Sequence, residues 1–314
     1  MWLCLPRLWE TACRKKGQRM MHHFAHKASE SCEYGYESSL HLVAKEIISQ
    51  SKTFLLPAVY VSFPNSQKRS ELICEAKEIA IDRVELEQRY NDVIPDIVIY
   101  VGDKQLFVEI YVTHNIDDEK LAKLKVADIS TIEIDLSKKE ETVTRKELTE
   151  LILGDSHEKA WKYNSLSQKY LQRFYQVSDK YDIIDRGLTL HIDGCPIRSR
   201  SWRGKAYANF YDDCLACKYC IAIKRNESIL CSGRQRIASV NDFSIPEMQR
   251  IKDSNDEIEM EKNISFANGI CPNCGGKLVE RYSRFGGFWG CSNYPHCRFT
   301  ASADPKTGEI IMKS

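Results

Sequence analysis

Four cysteines near the C-terminal end, in Cys271-Pro-x-Cys274-Gly-Gly and Cys291-x5-Cys297, carry the most legible chemistry of this 314-residue chain. Two pairs of soft thiolate ligands suit tetrahedral zinc. A segment this short buries too little apolar surface to fold alone, so metal binding supplies most of its folding free energy. His296, beside Cys297, is an alternative ligand. Lys277, Arg281, Arg284 and Arg298 are interleaved with Tyr282, Phe285, Phe288, Trp289, Tyr294 and Phe299. Cations that follow phosphates, and rings on which bases stack, predict a grip on single-stranded or distorted nucleic acid. A purely structural or protein-binding ribbon is the other reading.

A second cluster spans Cys195-Pro, Cys214-x2-Cys217-x2-Cys220 and Cys231-Ser-Gly. Cys195, Cys214, Cys217 and Cys231 are read as a further structural Zn2+ site, leaving Cys220 as a spare thiol or exchangeable ligand. An iron–sulfur cluster uses the same ligand type, and unliganded thiols are the bland alternative. Arg198, Arg200, Arg203, Lys205, Arg234 and Arg236 around it predict a phosphate-facing surface. Cys13, His23, His26 and Cys32 offer a mixed site at the N-terminus.

The third group is acidic. Asp96 follows Pro95 at the start of an apolar run, and Glu109 sits among Phe107, Val108, Ile110 and Val112. A carboxylate buried there is costly without a cation. Two or three carboxylates around a hard ion make a Mg2+ or Mn2+ site, and such an ion can generate hydroxide and stabilise a phosphorane-like transition state. Glu37, His41 and Lys45, at i, i+4 and i+8, lie along one helical stripe. The ordinary alternative for each acid is an ion-paired or surface carboxylate.

Periodicity supplies the elements that hold these residues. A helix over 37–48 has Leu40, Val43, Ala44, Ile47 and Ile48 on its apolar side. Alternation over 71–89 predicts one or two strands. Val93–Val101 and Leu106–Thr113 are strands joined at Gly102-Asp103-Lys104. A helix starts near Asp117-Asp118-Glu119-Lys120, Ser130–Leu136 returns as a strand, and helices follow over about 144–153 and 157–178. The class is mixed α/β.

Pro95-Asp96 … Glu109-x-Tyr111, after a helix carrying Glu37, resembles the PD-(D/E)XK, or restriction-endonuclease-like, nuclease superfamily. His22-His-Phe-Ala-His26 … Cys32-x4-Glu37-Ser-x2-His41-x3-Lys45 and Glu109-Ile-x-Val-Thr-His114 are similar to the competence protein CoiA-like branch, over about residues 12–137. The resemblance implies an αβββαβ core followed by helices and small zinc-ribbon modules. It also implies a metal-dependent deoxyribonuclease with Glu37, Asp96 and Glu109 at the ion. The family's lysine, two residues after the second-strand acid, is Tyr111 here. Its role of orienting water or neutralising charge passes to Lys120 first and Lys45 second, and His114 is a candidate phosphate holder or proton carrier. In that branch the N-terminal Cys/His ribbon begins with a Cys-x2-Cys pair that this sequence lacks. The C-terminal block resembles the zinc ribbon of bacterial type IA DNA topoisomerases, which implies DNA binding and says nothing of strand passage.

Charge is near balance, with 45 Lys and Arg against 44 Asp and Glu, but it is uneven. Residues 191–240 hold nine bases against four acids and 271–300 four against one, whereas 241–268 hold seven acids against three bases. The expected modules are 1–36 (incomplete Cys/His), 37–137 (nuclease-like), 138–185 (helical), 186–240 (Cys-rich), 241–268 (a solvated acidic linker) and 269–305 (ribbon). No apolar run is long enough for a bilayer, and the N-terminus lacks a secretory cleavage site. With thirteen cysteines, that predicts a reducing, cytoplasmic setting in which thiols bind metal. The alternative to a nuclease is a non-catalytic DNA-binding protein of uptake or repair with a degenerate core.

Overall fold

The computed structural model describes residues 12–15, 23–26, 33–303 and 310–311, except 65, 67–69, 114–115, 117, 140–142, 188, 198–199 and 226. At 12–15, 23–26, 33–38, 202, 303 and 310–311 it describes the backbone alone. The chain forms two compact units, Met1–Tyr60 with Leu72–Gln168, and Val61–Glu71 with Lys169–Ser314.

The first unit begins with the antiparallel pair β1 (Ala12–Lys15) and β2 (His23–His26), then α1 (Glu33–Gln50). β3 (Thr53–Leu56), β4 (Val59–Val61), β5 (Glu71–Cys74) and β6 (Lys77–Ala80) follow, with β3 and β6 paired. The main sheet comes from β7 (Arg83–Leu86), β8 (Ile97–Val101), β9 (Lys104–Tyr111), β10 (Thr131–Asp135) and β11 (Lys159–Tyr163). Its spatial order is β11-β10-β9-β8-β7. β7, β8 and β9 form an antiparallel meander, and β8 turns into β9 at Gly102, whose φ of 57° favours glycine. β10 lies parallel to β9 after the crossover helix α2 (Asp118–Ala127), and β11 is antiparallel to β10. α3 (Arg145–Leu153) opens on a capping box between Thr144 and Glu147.

Both faces of this sheet are covered, which is why β8 and β9 read as nearly continuous apolar runs. Ile97, Ile99, Val108, Ile110, Ile132 and Ile134 pack with Leu40, Ala44, Ile47 and Ile48 of α1. Val98 and Phe107 pack with Leu124 of α2 and Ile129.

Three expectations change here. The stretch 71–89 holds three short strands rather than one or two. β8 starts at Ile97 rather than Val93, because Pro95 has no N–H to give a ladder. Residues 157–178 are not one helix: 159–163 form β11, and only Ser165–Val177 is helical, as α4.

α4 leads into the second unit. There β12 (Asp179–Asp182) is followed by β13 (Ile184–Asp185), β14 (Leu190–Asp193), β15 (Arg200–Trp202), β16 (Lys205–Asn209) and a π-helical turn, Phe210–Cys214. β17 (Cys220–Lys224) and β18 (Ser228–Cys231) complete two sheets, of order β12-β18-β17 and β13-β14-β16-β15. Ile192, Ala208, Phe210, Ile223 and Ile229 fill the core with the cysteines of that region.

The acidic stretch read as a linker is largely α5 (Glu247–Ala267). It is polar on most sides, so composition alone suggested solvated coil; its Phe266 is buried against Cys271, Cys274 and Leu278. The ribbon follows as β19 (Leu278–Ser283), β20 (Gly286–Cys291), β21 (Thr300–Ala303) and β22 (Ile310–Ile311), an antiparallel meander.

Candidate metal centres and nucleic-acid interface

In the first unit, strand register brings the acids together. Ile97 pairs with Val108, so Asp96 and Glu109 are the next cross-strand neighbours, and the Asp96 carboxylate accepts the Ile110 N–H at 2.9 Å. Alternation puts both on the face of Val98 and Phe107. Glu133 of β10 lies in parallel register beside Glu109. This third sheet acid escaped the sequence reading.

Cations answer the acids from several elements. Lys120 Nζ of α2 is 2.7 Å from Glu109 Oε2. Lys45 Nζ of α1 is 2.9 Å from Asp96 Oδ1 and 2.8 Å from Glu87, and His41 Nδ1 is 3.9 Å from Asp96. Lys162 Nζ of β11 is 2.6 Å from Glu133, whose other oxygen accepts the Ile116 N–H. Glu37 lies on α1 two turns before Lys45; its side chain, like His114, falls outside the described residues. The N-terminal Cys13, His23, His26 and Cys32 fall outside them as well, as side chains or entirely.

The two acids differ in charge state. Burial works against ionised Asp96, but the Ile110 N–H and Lys45 overcome it and hold the carboxyl below its ordinary range. Burial dominates at Glu109 and pushes it up to about 7, although Lys120 pulls the other way. Its Oε1 is buried without a hydrogen-bond partner among the described residues. A buried carboxylate with one orphaned oxygen, beside a second, ionised carboxylate, fits a divalent cation.

Lys45→Met is expected to cost roughly 1–3 kcal/mol, because Asp96 loses its main countercharge in a half-buried setting. The depressed folded value of Asp96 stabilises the unit above the ordinary carboxylate range, and that contribution is lost as pH falls through the folded value. Urea titrations at several pH values should therefore show the variant less stable than the wild type near neutral pH, with the gap closing as acid protonates Asp96 in both.

In the second unit, Cys271, Cys274, Cys291 and Cys297 place their sulfurs within 4.8 Å of one another, all buried. Cys271 and Cys297 are 3.7 Å apart, and Cys274 and Cys291 3.3 Å. Asn293 donates its backbone N–H to Cys291 and its side-chain amide to Cys274. Burial raises Cys271 well above the thiol range and Cys291 to about 11. Burial also acts to raise Cys274, but the Gly276 N–H and side-chain bonds outweigh it and hold that thiol below its usual value. Four converging sulfurs with N–H donors are a zinc site; His296 lies outside the group.

The hairpin beyond the metal carries the cations. Lys277, Arg284 and Arg298 are exposed. Arg281 is half-buried: it donates to the Cys291 carbonyl oxygen at 3.2 Å and lies 5.5 Å from the Tyr294 ring. Its side chain also crosses Gly290 so closely that a Cβ there would stand 3.1 Å from it. Phe288 and Trp289 are half-buried, and Trp289 packs on the metal core. The rings open to solvent are Tyr282, Phe285 (86% exposed) and Tyr294, with Arg284 stacked 4.7 Å over Phe285.

Cys195, Cys214, Cys217 and Cys231 are less tightly gathered, and among the described residues they do not form a group like the ribbon's. The basic surface expected around them is partly structural. Arg200 Nε is 2.8 Å from Asp213 and a second nitrogen 3.2 Å from Asp212; Arg234 pairs with Asp179. Arg198 lies outside the described residues.

No described helix is long and apolar enough to cross a membrane. No solved structure matches the chain. DNA topoisomerase 1 of Campylobacter jejuni is 34% identical over 62 residues, covering 20% of this chain and 9% of that protein. DNA topoisomerase 1 of Methanocaldococcus jannaschii is 66% identical over 44 residues, covering 14% of this chain and 6% of its own length. That of Helicobacter pylori strain 26695 is 34% identical over 70 residues, covering 22% and 10%. The chain thus spans about a tenth or less of these relatives. Residues 268–306 match the family described as topoisomerase DNA binding C4 zinc finger, so the four-sulfur centre belongs to a zinc ribbon of the topoisomerase I type.

Proposed function

We propose that this chain is a DNA-processing protein that holds DNA through its C-terminal ribbon and hydrolyses phosphodiester bonds at the Asp96–Glu109 cluster with Mg2+ or Mn2+. The observation that carries the hydrolytic part is the meeting of Asp96, Glu109 and Lys120, with one Glu109 oxygen buried and, among the described residues, unpartnered. The order α1, β7-β8-β9, α2, β10 agrees with the restriction-endonuclease-like core that the motifs resemble.

Asp96 and Glu109 would hold the cation, which supplies charge neutralisation at phosphorus and an acidified water. Lys120 would take, from α2, the role that Tyr111 cannot fill: its ammonium donates to the Glu109 carboxylate at 2.7 Å and would neutralise negative charge developing on a phosphate held there. Lys45 keeps Asp96 ionised, so that this carboxylate is ready for a cation at neutral pH. Glu133, beside Glu109 and tied to Lys162, is a further acid on the same row.

On the ribbon, exposed Lys277, Arg284 and Arg298 meet phosphates while Tyr282, Phe285 and Tyr294 offer faces to unpaired bases. Tyr282→Ala with Phe285→Ala is expected to weaken single-stranded DNA binding by roughly 1–3 kcal/mol for each base unstacked. Duplex binding should change less, and fluorescence anisotropy with both ligands makes the comparison.

The test of turnover is cleavage of single- and double-stranded DNA with Mg2+ or Mn2+, with Glu109→Ala as control. Equal cutting by the control rejects the assignment. A second reading, a non-catalytic DNA-binding protein, is favoured by the ion pairs that already neutralise Asp96 and Glu109. No cleavage alongside salt-sensitive binding would decide for it.

A further inference from the structure

The other cysteine cluster offers a metal site outside the matched residues 268–306. Cys195, Cys214, Cys217, Cys220 and Cys231 all line one cavity of about 60 Å³, whose remaining wall is chiefly apolar, with Tyr181, Ile192, Ala208 and Ile229. That volume exceeds what one water needs, yet its lining offers a water few polar partners and offers a soft cation several thiols.

The turns around these thiols repeat those of the ribbon. Gly233 donates its N–H to Cys231 Sγ at 3.4 Å, as Gly276 donates to Cys274, each two residues after its cysteine. A Cβ on Gly233 would come within 3.2 Å of that sulfur and 3.0 Å of Pro196 Cγ, so this Cys-x-Gly turn is cut to bring backbone against the thiol. Cys195-Pro196 likewise mirrors Cys271-Pro272. Arg236 donates to the Gly233 carbonyl oxygen, and its Nε is buried without a partner among the described residues.

We propose that Cys195, Cys214, Cys217 and Cys231 bind a second zinc ion that staples the two sheets of this unit together. Cys195 follows β14 and Cys214 ends the π-helical turn after β16, both on the four-stranded sheet. Cys217 lies in the turn into β17, and Cys231 ends β18, both on the three-stranded sheet. Each thiol gives up its proton on binding, and the cavity contracts around the ion from its wider metal-free spacing. Cys220, whose Sγ is 4.0 Å from the Ala222 carbonyl oxygen, takes no ligand role.

The experiment is metal and sulfide analysis of the full chain purified in the presence of zinc without chelators. Two zinc ions per chain are expected in the wild type and in Cys220→Ser, and one each in Cys231→Ser and in Cys271→Ser. Should the cysteine variants fail to fold, cobalt titration of the metal-stripped wild type reads the same number. Its thiolate charge-transfer absorption should saturate at two equivalents. One zinc per chain, saturation at one equivalent, or iron with inorganic sulfide would overturn the proposal. So would loss of an ion from Cys220→Ser with both retained in Cys231→Ser.

Discussion

Glu109→Gln is expected to lose divalent-cation-dependent cleavage by a factor of at least ~100 while making the unit around it more stable above neutral pH. Both effects come from one burial. In the folded chain Glu109 ionises only at about 7, whereas the unfolded chain ionises it in the ordinary range near ~4.3. Below that range the group is protonated in both states and costs nothing. As pH rises toward 7, the unfolded state gives up the proton first, so stability falls by about 1.4 kcal/mol per pH unit, then levels off. Glutamine removes that slope. The variant lacks the ion pair between Lys120 and Glu109, but Lys120 is partly exposed, so the net gain at pH 8 is expected to be about 2 kcal/mol. Urea titrations at pH 5 and pH 8 measure it: the variant should gain at pH 8 and not at pH 5. A loss of stability at both values would show that the ion pair with Lys120 outweighs the burial of the acid.

Breaking the ribbon should produce the second large effect. Cys271→Ser with Cys297→Ser is expected to unfold β19–β21 and to lower single-stranded DNA affinity at least tenfold at moderate salt. The small core here is largely sulfur: Phe266, Leu278 and Ala301 are the other buried members. A structural zinc contributes on the order of 10 kcal/mol to folding in such modules, and nothing apolar in this one replaces it. The three exposed cations leave the DNA with the fold, so the slope of log affinity against log salt should fall by roughly 0.7 per lost phosphate contact. Hydrogen exchange should show protection lost in 271–303 and kept in β8–β10. Undiminished affinity in the variant would place the DNA-binding surface elsewhere.

The parts of the fold that the sequence made legible are those with a single dominant physical signal. β8 and β9 are buried on both faces, so their apolar runs and the glycine turn between them could mean little else. The ribbon was legible because thiol spacing is a strong constraint. β11 was not: Lys-Ala-Trp-Lys-Tyr is a short polar edge strand, and all that parts it from the amphipathic α4 is Asn164, whose side chain accepts the Ser167 N–H. Glu133 was missed for a related reason. In Thr-Ile-Glu-Ile-Asp it looks like the solvent side of an alternating strand, and only parallel pairing with β9 sets it beside Glu109. Lys120 was named from the gap that Tyr111 leaves, but which acid it meets depends on the crossover geometry of α2, which no local pattern encodes. α5 was concealed by composition, since a helix polar on most sides reads like coil unless the tertiary contact of Phe266 is known.

Isothermal titration of Mn2+ into the zinc-loaded chain and its Glu109→Gln variant tests the central claim most directly, because it reads the cation site without requiring turnover or DNA. The account predicts a saturable binding event in the wild type that is absent, or at least tenfold weaker, in the variant. No heat in the wild type, or equal binding by both, would contradict a cation centre at Asp96 and Glu109.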